Sequence, residues 1–198
     1  MFFRKDINEG IYMDYFLLNV DPNYKAPTIS NPNNILNSKS ITGKKGDLLP
    51  ERMRFLVTEE KGVIFTDIII CSPYLLVRNN AMKVIKMYEP FYRFHPVFLC
   101  NDNMSEQYHI PLLEEIECLT DKSCFNLDKS IIEYAVIDME LIKEKALLRI
   151  GGVNSKKYIL IRLDLVESLL RRGMVGIGLT PVDCAGNNNL RLFKSCKA

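Results

Sequence analysis

The sequence predicts an α+β fold: a mixed, mainly antiparallel sheet with two longer helices, at about 73–88 and 165–172, and a short one at about 139–145. Two observations lead there. Short runs rich in β-branched and aromatic residues recur along the chain, each bounded by Gly, Pro, Asn or Asp. Two stretches carry apolar residues at helical spacing behind recognisable start signals. A third observation, that 47% of the 198 residues are hydrophobic and 25% charged, supplies enough apolar surface for a core without staples.

The elements follow in order. Tyr12 to Val20 reads as a strand. Asp21 to Pro50 is crowded with Pro, Asn, Ser and Lys, and reads as a long loop or loosely packed arm. Strand texture resumes at Met53 to Thr58, and Val63 to Cys71 is β-rich. Ser72-Pro73 has the chemistry of a helix opening, a hydroxyl cap followed by a preset φ, so a helix is expected to Tyr88, stopped by Pro90. Phe91 to Cys100 and Tyr108 to Leu113 read as paired strands joined through Asn101-Asp-Asn103.

Ile131 to Ile137 is the next strand. Asp138 is placed to cap a short helix reaching Lys145, and Leu147 to Gly152 and Lys156 to Leu163 read as a hairpin. Asp164-Leu-Val-Glu167 fits an acidic capping box. The helix behind it turns Leu165, Val166 and Leu169 inward, with Arg171 and Arg172 in its last turn and Gly173 beyond its end. Val175 to Val182 is the last strand, and 184–198 is a polar tail. The whole reads as one domain, 1–198.

Composition narrows the function classes. Net charge is +2, from 26 basic and 24 acidic side chains, so no global field points to nucleic acid or a membrane surface. The basic clusters Lys39–Arg54 and Arg171–Lys197 lack the interleaved aromatics that a base-stacking platform needs. No apolar run approaches the ~20 residues that span a bilayer. The six cysteines are sparse and follow no secretory signal, so reduced thiols and a cytoplasmic setting are expected.

No C-x-x-C pair is present, and the two histidines, His95 and His109, lie fourteen positions apart on different strands, so no metal site or cofactor is expected. His95 with Cys100 or His109 with Cys118 could be drawn as dyads. Five positions along one extended strand, however, turn His95 and Cys100 to opposite faces. Gly173, Gly176 and Gly178 follow a helix and enter a strand, the reverse of a dinucleotide fingerprint. No catalytic residue is assigned.

One run stands out. Asp102, Glu106, Glu114, Glu115, Glu117 and Asp121 occur with no Lys or Arg between Asn101 and Asp121. Such a stretch is either a solvated face or an acidic docking surface, where opposite charge speeds association and sets specificity.

A strand ending near Asp67, the Ser-Pro opening and His95-Pro-Val-Phe-Leu99 occur in that order. Pro111-Leu-Leu-Glu-Glu-Ile-Glu-Cys-Leu119, Leu148-Arg-Ile-Gly-Gly152, Tyr158-Ile-Leu-Ile-Arg162 and Gly176-Ile-Gly-Leu-Thr180 follow. Over about residues 66–183 this pattern resembles a bacterial polymorphic-toxin immunity family, first catalogued as a domain of unknown function. The resemblance implies a non-enzymatic, cytoplasmic antidote that binds a cognate secreted protein toxin and blocks it stoichiometrically. It carries no motif that marks contact residues. Two further readings stand beside it: a small cytoplasmic enzyme with a site assembled around His95 or His109, and a regulatory or scaffold module that self-associates through a strand edge.

Overall fold

The computed structural model describes residues 14–30, 53–58, 61–72, 74–128, 130–153 and 157–185. Its first half contains β1 (Tyr15–Asn19), β2 (Ile29–Ser30), β3 (Met53–Val57), β4 (Ile68–Cys71), β5 (Tyr74–Val77), α1 (Asn79–Tyr88), β6 (Phe94–Cys100) and β7 (Ser105–Pro111). Then come β8 (Glu115–Ile116), β9 (Cys124–Phe125), β10 (Ile132–Tyr134), β11 (Val136–Asp138), α2 (Met139–Ile142) and β12 (Leu147–Ile150). The described chain ends with β13 (Ile159–Arg162), α3 (Leu163–Leu170), β14 (Gly178–Pro181) and β15 (Asp183–Ala185).

The α+β expectation with two long helices is overturned. Strands take 43% of the described residues and helices 15%, so the protein is predominantly β. The error is concentrated at 73–88. Tyr74–Val77 is not the first turn of a helix but a strand antiparallel to β4, with Cys71 opposite Tyr74 and Ile68 opposite Val77. All four of its residues are buried, Leu75 and Val77 in one core and Tyr74 and Leu76 in another. A strand can bury alternate residues on two faces, whereas an amphipathic helix would leave part of this run in water. Helix α1 starts only at Asn79, behind Arg78, which makes no side-chain cap. Pro73 itself lies outside the described residues.

Of the other helices, α2 is shorter than expected, and α3 keeps the expected length but starts two residues earlier. Asp138 does cap α2, its Oδ1 accepting the Glu140 N–H at 2.9 Å. That helix stops at Ile142 because Lys143 and Glu144 take left-handed φ of 46° and 61°. Helix α3 begins at Leu163, before Asp164, with Arg162 in the cap position. Asp164 therefore sits in the first turn, where its carboxylate accepts the Leu165 N–H and pairs with the Arg162 guanidinium at 2.8 Å. The expected inward face, Leu165, Val166 and Leu169, is buried.

Two sheets organise the chain. A six-stranded sheet runs β2-β3-β6-β7-β5-β4, and a five-stranded sheet runs β14-β1-β13-β12-β8. Most neighbours are antiparallel, but β3–β6, β8–β12 and β11–β15 pair parallel. The short hairpin β9–β10 and the β11–β15 pair stand as separate two-stranded units. Of the expected arm 21–50, residues 21–30 are described: Lys25 bridges Val63, and Ile29 pairs with Val57. Cys184 and Ala185, expected within a polar tail over 184–198, pair with Ile137 and Asp138, and 186–198 lies outside the described residues. No helix among the described residues is long and apolar enough to cross a membrane.

The sheets share a core. Ile68, Leu75 and Val77 from the larger sheet meet Leu18, Ile159 and Ile161 from the smaller, with α1 and α3 packed against both. A second core fills the far side of the larger sheet around Phe55, Leu99 and Tyr108. A third lies under the β9–β10 hairpin around Tyr15, Leu148, Leu160 and Cys118.

Two polar junctions tie these layers. At the first, the buried Tyr108 donates its hydroxyl proton to the Thr66 carbonyl at 2.7 Å and accepts from Arg78 Nε at 3.1 Å. Asp67 accepts the Val175 N–H at 3.1 Å, and the Ile68 N–H donates to the Val175 carbonyl at 3.2 Å. At the second, Glu89 at the end of α1 accepts the Ala146 N–H at 2.6 Å. Lys145 lies 3.7 Å from Glu89 and 3.3 Å from Glu114, above the Tyr92 ring.

Candidate partner-binding surface

The acidic run is scattered by the fold, because the chain from 101 to 121 crosses from the larger sheet to the smaller. Asp102 lies in the β6–β7 turn. Glu106 is on β7, where it meets Arg78 at 3.2 Å. Glu114 precedes β8 and meets Lys145, and Glu115 on β8 meets Lys157 at 3.0 Å. Glu115 also faces Arg149, which is fully buried one strand away and whose pKa is lowered by that burial while the Glu115 charge opposes the shift. Three of the six acids are thus committed to holding elements together. Asp102, Glu117 and Asp121 are exposed and form no ion pair among the described residues. The partners of the committed acids lie tens of residues away in sequence, which is why a linear reading sees an uncompensated run.

The histidine–cysteine dyads are not assembled. Alternation along β6 puts His95 on the face of Val97 and Leu99, and Cys100 on the opposite face, where its Sγ lies 3.3 Å from Ser105 Oγ. Pro96, not His95, stands opposite His109. Cys118 is buried in the third core, where burial pushes its thiol up to about 11. Cys71, Cys100, Cys118 and Cys184 are free thiols. Cys124 is disulfide-bonded, a departure from the all-reduced expectation. Among the described residues no group of three or more His, Cys, Asp or Glu is placed to hold a metal ion.

His109 carries a pH prediction. Burial lowers its pKa below 6.5, Lys86 lowers it further, and a hydrogen bond to the Val77 backbone opposes them. A histidine with a depressed folded pKa binds fewer protons folded than unfolded, so its stability contribution is complete above about pH 6.5 and falls away as the pH drops through that value toward the folded pKa. Urea midpoints measured from pH 7.5 to 5 should therefore decline, and His109→Gln should flatten the decline over that range.

A surface that the sequence did not single out lies at the β9–β10 hairpin. Its turn is cross-braced: Asn126 Oδ1 accepts the N–H groups of Ser130 and Ile131, each at 2.9 Å, and Asn126 Nδ2 donates to Ser130 Oγ at 2.9 Å. That bracing holds Leu127 entirely in solvent, with Ile131 half exposed beside it. The legible signal was a leucine inside the turn-forming Asn126-Leu-Asp128 stretch, an apolar residue with no core in reach.

Beside the hairpin is a groove of about 230 Å³. Leu17, Ile132, Ala135 and Pro181 give it an apolar interior, and Glu133 and Asp183 stand at its rim. Tyr134 donates its hydroxyl proton to Asp183, and that bond, first among the causes, pushes the phenol up to about 12. The arrangement can receive an apolar side chain and attract a neighbouring cation. No protein-family model matches this chain, and neither does any curated protein sequence.

Proposed function

We propose that this chain is an immunity-type binding protein, which neutralises a secreted bacterial toxin by forming a stoichiometric complex with it. The resemblance across residues 66–183 supplies the class of partner. The observation that carries the reading is the division of the acidic run: Glu106, Glu114 and Glu115 are spent on internal ion pairs, while Asp102, Glu117 and Asp121 remain directed at solvent. Exposed carboxylates on turns and at a sheet edge suit a basic partner surface, since rim charges act mainly on association rate and specificity. The basic substrate groove of a nuclease-type toxin is one surface of that kind.

Co-expression with the product of the adjacent gene tests the reading. The expected result is a complex of fixed stoichiometry that survives size exclusion, together with protection of cells expressing that product. If the two proteins elute separately and growth is not rescued, the reading fails. Within such a complex, the triple change Asp102→Lys, Glu117→Lys and Asp121→Lys should weaken binding at least about tenfold, mostly through slower association. Unchanged affinity would remove these acids as the contact surface. Glu114 and Glu115 are left alone because their reversal would break internal pairs.

A further inference from the structure

The groove at the β9–β10 hairpin lies between two strand edges. In the five-stranded sheet β14 has β1 as its single neighbour, and β10 has only β9, among the described residues. Thr180 and Pro181 of β14 line the groove together with Ile132–Tyr134 of β10 and Ala135, and the Asp183 N–H, donating to the Ala135 carbonyl at 3.1 Å, joins the two segments at one end. A strand edge offers a row of backbone donors and acceptors to any extended chain laid along it. The interior of the groove is apolar and takes one or two side chains in its 230 Å³.

The charge around the groove has one dominant sign. Glu133 and Asp183 are on its rim. The Thr120 N–H donates to the Val136 carbonyl, and Val136 stands opposite Asp183 in the β11–β15 ladder. That puts Asp121 next to a residue two strand spacings from Asp183, roughly 10 Å. Asp14 is near enough that, after burial, it and Asp183 both help to raise the Cys184 thiol to about 11. Against Asp14, Asp121, Glu133 and Asp183 stand Lys122, next in sequence to Asp121, and Arg162, opposite Tyr15 and already paired with Asp164. Leu127 and Ile131 extend the apolar surface outward on a turn already braced by hydrogen bonds, so little ordering is left for a partner to impose.

We infer that the groove between β10 and β14 docks an extended segment of a protein partner, one that seats an apolar side chain in the groove between flanking Lys or Arg residues. This rests on the binding-protein reading above and names the chemistry of its partner. It is tested without any toxin, so that the two can fail separately.

The probes are two fluorescein-labelled octapeptides of alternating Leu and Lys or alternating Leu and Glu, titrated into the full-length chain and read by fluorescence anisotropy. The basic peptide should bind, with affinity falling as salt rises, and the acidic one should not. Glu133→Lys, an exposed change, should reduce affinity at least about fivefold. Glu167→Lys on α3 reverses one charge elsewhere and should leave it within twofold. Equal binding of both peptides, no binding of the basic one, or equal effects of the two variants would overturn the inference. Self-association of the chain that Glu133→Lys abolishes would make a second copy the occupant and overturn it likewise. Binding that appears only after removal of residues 186–198 would assign the groove to the chain's own end, with the same consequence.

Discussion

Gly176→Ala should cost about 3–5 kcal/mol, combining a backbone penalty with an overpacking penalty. Gly176 has φ +92°, and a β-carbon there would stand 2.2 Å from the Ile68 carbonyl oxygen and 2.6 Å from Thr66 Oγ1. Neither neighbour can swing aside cheaply. The Ile68 carbonyl also accepts the Thr66 hydroxyl at 2.7 Å, and the Ile68 N–H is tied to Val175. Moving that carbonyl would loosen the junction at which Tyr108, Arg78 and Asp67 meet. Gly173→Ala is the matched control. Gly173 has φ +71° but nothing within 4 Å of its added carbon, so its cost should stay near 1–2 kcal/mol, the backbone penalty alone. Urea unfolding of both variants separates the two contributions. Equal losses would mean that residues 175–177 do not press on residues 66–68 as described.

Glu89→Ala should cost about 2–4 kcal/mol, and Glu89→Gln much less. The Glu89 side chain is almost wholly buried, with 10% of its surface exposed, and it alone receives the Ala146 N–H. Truncation strands that donor, and a buried unsatisfied donor costs about 1–3 kcal/mol before packing losses are added. Glutamine keeps a carbonyl oxygen for the same N–H, while Lys145 retains Glu114 at 3.3 Å. Rescue by glutamine would therefore identify the hydrogen bond, not the charge, as what matters. If alanine and glutamine are equally harmful, the ion pair with Lys145 carries the effect instead.

The parts of the fold legible in the sequence are those decided locally. Asp138 caps a helix because its side chain bonds two residues ahead, and Leu165, Val166 and Leu169 face inward because helical spacing groups them. The segment Tyr74–Val77 was not legible for the opposite reason. A run of four apolar residues has no period that separates strand from helix, and the decision came from β4 on one side and β7 on the other. The candidate surface behaves the same way. Its acids are visible as a list, but whether each is neutralised depends on Arg78, Lys145 and Lys157, brought in by folding. The groove was invisible because Leu17, Tyr134 and Asp183 come together from three distant parts of the chain.

Strand β1 has a consequence for how the protein is made. Its two neighbours are β13, with Tyr15 opposite Arg162, and β14, with Leu17 opposite Thr180. It occupies an interior position in the five-stranded sheet, yet both partners are synthesised more than about 140 residues after it. At about 5–20 residues per second, the nascent chain carries this apolar strand unpaired for roughly 10–30 seconds. Closing a sheet over such a separation is entropically slow. The larger sheet, whose β4–β5 and β6–β7 hairpins close locally, can form while β1 waits. The earliest of the described strands is then among the last to be zipped in, and until that moment its Tyr15, Leu17 and Leu18 are open to a chaperone.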